Sequence, residues 1–169
     1  PGYYQSTQGL QGTVLRDSLQ ALIAGHTAFP YTSTGTDTWD ILQASDRDPQ
    51  DSGKIVLVYA DTTVNGPQEY NAGAGWSREH VWPQSLIRAN PSTSSPGPET
   101  DVHNLKPANI AINSSRSNKV YDNGGSAHPS LPHTFYDADS WEPRDSVKGD
   151  LARIIFYMAV RYAGQNGEP

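Results

Sequence analysis

Apolar residues recur at helical spacing in two stretches, one near each end of the chain. Leu10, Val14, Leu15, Leu19, Leu22 and Ile23 form the first stripe, with Arg16, Asp17 and Gln20 off it and Gly25 placed to end the helix. This stripe predicts core packing. The second opens at Pro143 and carries Val147, Leu151, Ile154, Ile155, Met158 and Tyr162 up to Gly164, a scaffold for a sheet. Between them, Asp37 suits the cap of a short helix through Trp39, Ile41 and Leu42. The run Lys54 to Ala60 is too apolar for a half-exposed edge and predicts a strand in the middle of the sheet. Asp101 to Pro107 reads as a short strand or strand end with Val102 and Leu105 apolar. Pro107 then suits the first turn of a helix through Ala108, Ile110, Ala111 and Ile112, closed by Asn118 in a left-handed turn. Thr134 to Tyr136 predicts a further short strand.

The connecting stretches are punctuated by turn residues. Asp61 to Gly75 and the Ser/Pro-rich Ser92 to Pro98 read as loops, and Asp122 to Pro132 carries its sharpest turn signal at Asn123-Gly124-Gly125. Asp46, Asp48 and Asp51 resemble a calcium-loop fragment but lack its Gly and distal Glu, so a turn is the reading. No repeat, linker or second domain is visible. The fold class expected is α+β, a small, mostly antiparallel sheet with flanking helices, in one domain over 1–169.

Composition narrows the partners. A length of 169 residues can bury a proper core, and no hydrophobic run is long enough to span a bilayer. The absence of cysteine fits either redox compartment at this size. A formal net charge of -6 argues against a protein that coats nucleic acid through overall charge; an enzyme that releases its product needs only a local positive patch. The chain begins at Pro1 rather than Met, which suggests a processed or trimmed chain.

Chemistry concentrates between Trp76 and Lys119. Glu79 and His80 set a hard oxygen ligand beside a titratable imidazole, the pair that metal-assisted phosphodiester hydrolysis needs at one phosphate. On the predicted helix Asn109, Asn113 and Arg116 share a face. Neighbouring side chains of a regular strand point to opposite faces, so Glu79 and His80 serve one phosphate only if the strand breaks at His80. A catalytic imidazole presents one bare nitrogen while the other donates to a fixed acceptor, expected here to be a backbone carbonyl between Pro98 and Asp101.

Three ordered blocks carry a family resemblance. They are Arg-Glu-His-Val-Trp-Pro-Gln-Ser from Arg78 to Ser85, Asp-Val-His-Asn-Leu-Lys-Pro-Ala from Asp101 to Ala108, and Asn113 with Arg116-Ser117-Asn118. With them the chain resembles the bacterial endonuclease I group of extracellular nucleases, whose site is of the ββα-metal (His-metal finger) type, here at about 76–119. The resemblance implies that Glu79 and Asn113 ligate one divalent cation, Mg2+ with Ca2+ or Mn2+ as alternatives. It implies His80 as the general base and 5′-phosphate products from DNA, RNA or both, with little sequence preference. It implies secretion, outside the cell or into the periplasm, and no membrane partner. It also implies further chain beyond Pro169, as a continuation or as a second chain.

Other residues have two readings each. Arg116 either holds the phosphate bidentately as part of the catalytic set or braces its helix through an ion pair. Arg78, Arg88, Lys106 and Lys119 are candidate substrate contacts, or simply solvated cations. Asp101, His103, Asn104 and Asn118 are read as structural support, His103 with catalysis as its alternative. His26, His128 and His133 lie outside the blocks and are expected in surface or loop roles. Two rival functions are a catalytically silent nucleic-acid-binding module on the same scaffold and a Zn2+ hydrolase using His80 and His103; no His-Glu-x-x-His helix or Cys pair supports the second.

Overall fold

The computed structural model describes residues 2–88 and 90–162. Helix α1 spans Gly12–Ile23 and α2 spans Thr38–Ser45. Asp37 caps α2 in a reciprocal capping box with Asp40, the cap expected from the sequence. Strand β1 (Lys54–Val56) pairs antiparallel with β2 (Thr63–Asn65). Strand β3 (Trp76–His80) is followed by a single turn of helix, α3 (Gln84–Ile87). Strand β4 (Leu105–Asn109) pairs antiparallel with β3 and runs directly into α4 (Ile110–Arg116). Four short strands follow, β5 (Val120–Tyr121), β6 (Ser126–Ala127), β7 (Phe135–Tyr136) and β8 (Ser140–Glu142), in the order β5-β8-β7-β6 with only β5 and β8 parallel. Helix α5 (Asp145–Arg161) closes the described chain. No helix among the described residues is long and apolar enough to cross a membrane.

The α+β class holds, but three small sheets replace the single one expected. The run Lys54 to Ala60 does not form a central strand. Its ladder stops at Val56, and Leu57 and Val58 donate their backbone N–H groups singly to Thr62 and Pro107 carbonyls. Leu57, Val58 and Tyr59 are nonetheless buried, so the apolar run reports burial rather than sheet pairing. The stretch 61–75, expected as plain loop, contains β2. The helix expected to open at Pro143 opens at Asp145, and its expected end at Gly164 lies outside the described residues, as does Pro1. The α1 stripe is not core either. No α1 residue is buried, because the helix lies on the outside of α5 with only one side covered.

Two apolar clusters grip the β3–β4–α4 unit. Trp76 and Leu105 belong to the cluster with Trp39, Leu42, Ile55 and Leu57, while Ala108 and Ile112 belong to the cluster with Val58, Tyr59, Trp141 and Leu151. The backbone also closes tightly where the chain enters β3. Trp76 N donates to Glu69 O at 2.7 Å, and a Cβ on Gly75 would lie 1.6 Å from that same oxygen, so only glycine fits there.

Candidate active site

Antiparallel pairing sets Glu79 opposite Lys106 and His80 opposite Leu105. Beyond His80 the strand ends, as the alternation of strand side chains required. The backbone is turned out of the pleat by Asn104, whose side-chain Oδ1 accepts from Trp82 N at 2.8 Å while its Nδ2 donates to Trp82 O at 3.0 Å. At the far end of β4, Asn109 caps α4, its Oδ1 accepting from Ala111 N and Ile112 N at 2.9 and 3.2 Å. The helix therefore starts three residues later than Pro107, and Asn109 does not share a side-chain face with Asn113 and Arg116. Asn113, in the first turn, folds back on β3, where its Nδ2 donates to Ser77 Oγ at 3.0 Å and to Arg78 O at 3.3 Å.

Glu79, His80 and Asn113 thereby line one cavity of about 420 Å3, together with Pro83, Gln84, Ser85, Pro91, Ser117 and Asn118. Each carries an acceptor atom. The amide nitrogen of Asn113 is committed to β3, which leaves its carbonyl oxygen without a hydrogen bond among the described residues. Glu79 accepts on Oε1 from Tyr59 OH at 2.6 Å and from Arg116 Nη1 at 2.8 Å, and Oε2 accepts from no described residue. His80 Nε2 lies 2.8 Å from the carbonyl of Glu99, within the stretch expected to supply its acceptor. A carbonyl only accepts, so the proton sits on Nε2 and Nδ1 is bare. The Gln84 amide nitrogen lies 2.9 Å from Nε2 and 3.4 Å from Nδ1, and Tyr31 stacks on the ring with centroids 5.7 Å apart.

Burial dominates the electrostatics. It pushes the Glu79 carboxyl up, to about 7, against the pull of Arg116 and the hydrogen bond from Tyr59. It pushes His80 down to about 4; the bond to the Glu99 carbonyl opposes this, and the positive charges of Arg78 and Arg116 add to it. The imidazole is thus a neutral acceptor at any pH near 7.

The remaining sequence candidates are engaged with the protein. Arg116 is buried and takes the bracing role: besides Glu79, it donates to His80 O at 2.8 Å and Val81 O at 2.9 Å. Four expected substrate contacts, Arg78, Arg88, Lys106 and Lys119, are not on the cavity wall. Arg78 is sandwiched between the Tyr31 and Trp39 rings, at 3.4 and 4.0 Å, and donates to Tyr31 O, Thr38 and Thr32. Arg88 forks onto Glu99, Lys106 pairs with Asp46 at 2.7 Å, and Lys119 donates to Ser115 O. Each satisfied partner is a carboxylate, carbonyl or hydroxyl that a phosphate would have to replace. Asp101 is buried and accepts from His103, Tyr157 and Tyr162; His103 is half exposed beside it. Asn118 does not close α4, because the left-handed residue is Ser117 (φ 54°); Asn118 instead donates to Ser85 on the cavity rim. Sequence reasoning passed over Gln84, Tyr31, Tyr59 and Tyr121. Gln84 lay inside the first block, whereas the tyrosines carry no local pattern that separates them from core aromatics.

The donor set suits a hard divalent cation. Glu79 and Asn113 line the same cavity, each with one oxygen, a carboxylate's and an amide's, outside any hydrogen bond among the described residues, and oxygen ligands are what Mg2+ takes. Among the described residues no cluster of three or more His, Cys, Asp or Glu side chains could hold a metal, so an ion held here would need its other ligands from solvent and substrate.

Comparison with known proteins gives a consistent answer. The family model for Endonuclease I matches residues 11–167. The chain is 43% identical over 167 residues to an extracellular ribonuclease of Bacillus amyloliquefaciens, covering 99% of this chain and 55% of that protein. It is 42% identical over 169 residues to an extracellular ribonuclease of Bacillus subtilis (strain 168), covering 99% of this chain and 56% of that protein. The chain therefore spans about half the length of the curated relatives it matches. No solved structure matches. With the first and third sequence blocks lining one cavity, the second paired to the first through β4, and the family model matching nearly end to end, the chain belongs to the Endonuclease I family.

Proposed function

We propose that this protein is a divalent-metal-dependent endonuclease that hydrolyses phosphodiester bonds with little regard for sequence, leaving 5′-phosphate ends. The observation that carries this reading is the shared cavity wall: a neutral imidazole with one bare nitrogen beside two bare hard-oxygen donors. Because water attacks and no 2′-hydroxyl takes part, the chemistry serves DNA and RNA alike; the ribonuclease names of the relatives bring RNA forward as a substrate and secretion as the location.

Glu79 Oε2 and Asn113 Oδ1 would hold the cation, Mg2+ by hardness, with Ca2+ or Mn2+ able to occupy the same oxygens. When bound, it supplies a positive charge that polarises the scissile phosphate and stabilises the departing oxygen. His80 Nδ1 takes the proton of the attacking water while Glu99 O holds the opposite side of the ring. The water oxygen bonds to phosphorus, the P–O3′ bond breaks, and O3′ is protonated from solvent. Gln84 and Tyr31 restrict the ring, so the bare nitrogen keeps one direction.

The test is digestion of plasmid DNA and of RNA with Mg2+, with chelator, and with His80→Ala in parallel. Expected are cleavage that chelator stops and a variant slowed by about 10²–10⁴-fold whose Mg2+ affinity in calorimetry is kept. Binding without cleavage by the unmodified protein would instead favour the catalytically silent module.

A further inference from the structure

Glu79 is surrounded by donors on one oxygen and, among the described residues, by none on the other. Tyr59, buried just after β1, donates to Oε1 at 2.6 Å. A hydroxyl has one proton to give, so the 2.6 Å contact between the Tyr59 and Tyr121 hydroxyls must run from Tyr121 to Tyr59. The result is a directional relay, Tyr121 to Tyr59 to Glu79. Arg116 reaches the same oxygen with Nη1 at 2.8 Å, but its Nη2 is held by Val81 O at 2.9 Å, so the guanidinium cannot fork onto both carboxylate oxygens. It stands over the Tyr121 ring, 4.7 Å from the centroid. Three segments, β3, α4 and the turn after β1, therefore meet on a single oxygen atom, and β5 reaches it through the Tyr59 hydroxyl.

We propose that Tyr59, with Tyr121 behind it, is a positioning residue that locks the Glu79 carboxylate so that Oε2 alone is offered to the metal ion. The inference rests on the reading of Glu79 as a ligand. Arg116 balances the buried charge, and the Tyr59 hydroxyl decides which oxygen absorbs that balance. Without the hydroxyl, Oε1 keeps one donor, and the carboxylate is free to turn Oε2 away from the cavity. Partners that orient a ligating carboxylate typically change metal affinity by about 10–100-fold when removed. Tyr121 touches no ligand and acts only through Tyr59, so its loss has the smaller effect.

The experiment is Mg2+ calorimetry on the unmodified protein and on Tyr59→Phe, Tyr121→Phe and Glu79→Ala, with thermal midpoints recorded for all four. Expected is a Kd raised about 10–100-fold in Tyr59→Phe, a smaller rise in Tyr121→Phe, and nucleolytic kcat in both recovering when Mg2+ is raised to saturation. A purely structural tyrosine would lower the thermal midpoint and leave a deficit that added Mg2+ does not repair. If Glu79→Ala loses Mg2+ binding while both phenylalanine variants bind as the unmodified protein does, the positioning role is overturned and the ligand reading stands. If Glu79→Ala binds Mg2+ unchanged, the ligand reading falls and takes this inference with it. Should Tyr59→Phe fail to fold, Tyr121→Phe, on the half-buried Tyr121, decides by the same two readouts.

Discussion

The residue proposed as the base, His80, is displaced from solution behaviour by its surroundings. A free imidazole titrates at about 6.5, which would make activity fall off across pH 5 to 8. Burial holds His80 down at about 4. A base works in its neutral form, so if His80 has that role, its protonation at saturating Mg2+ should leave the rate level from pH 8 to 5 and lower it only as pH falls through about 4. A stopped-time cleavage assay across that range checks this, and a midpoint near 6.5 would contradict the buried setting. Arg116 teaches the complementary lesson. A guanidinium on the same helix face as a candidate metal ligand suggests phosphate binding, yet this one is fully enclosed and its charge is spent on Glu79 and two carbonyls. Removing it would leave a buried carboxylate unpaired, a structural penalty before any catalytic one.

At the scale of elements, the site depends on where strands stop. The proline of Leu105-Lys106-Pro107 sits inside β4 opposite Arg78, and its carbonyl accepts from Val58 N at 2.9 Å. A strand with a single ladder partner tolerates a residue that cannot donate, so the helix-start signal at Pro107 was outcompeted. Asn109, a better cap, took the start instead. Asn104 ends β3 in an equally specific way, and it is wholly buried. Asn104→Ala removes both side-chain bonds to the Trp82 backbone and should cost about 1–3 kcal/mol, read as a lowered urea midpoint. Cleavage should weaken with it, because the turn after His80 loses the clamp that carries Pro83 and Gln84 to the cavity.

Across the whole molecule, Asp101 is the tie between the two ends of the chain. It accepts from Tyr157 and Tyr162 of the C-terminal helical region and from His103 ahead of β4, and His26, after α1, lies 3.5 Å away. Burial alone would raise its pKa, but the hydrogen bonds of His103, Tyr157 and Tyr162 overcome that and hold it at about 2. A carboxylate held below its unfolded value of 3.8 contributes stability above that pH and loses it as pH falls towards 2. The shift corresponds to about 2 kcal/mol. Asp101→Asn should lower stability by that order at pH 7 in denaturant melts, and the gap to the unmodified protein should close between pH 4 and 2. The long-range tie was invisible in the sequence, since His26, Asp101 and Tyr162 have no common spacing. The blocks around it were legible, as were the α2 cap, the break at His80 and the carbonyl behind its ring.

The sequence by itself determined which side chains are candidates for the chemistry, because Glu79, His80 and Asn113 stand in ordered blocks, and where most helices form, because apolar spacing and caps act locally. Only the tertiary structure decided what each charge is for. Whether Arg116 faces a phosphate or a carboxylate, which oxygen of Glu79 is left bare, and how far His80 departs from an ordinary imidazole all depend on burial and on partners far away in the chain. Those are properties of an enclosed neighbourhood, and no local pattern of residues encodes them.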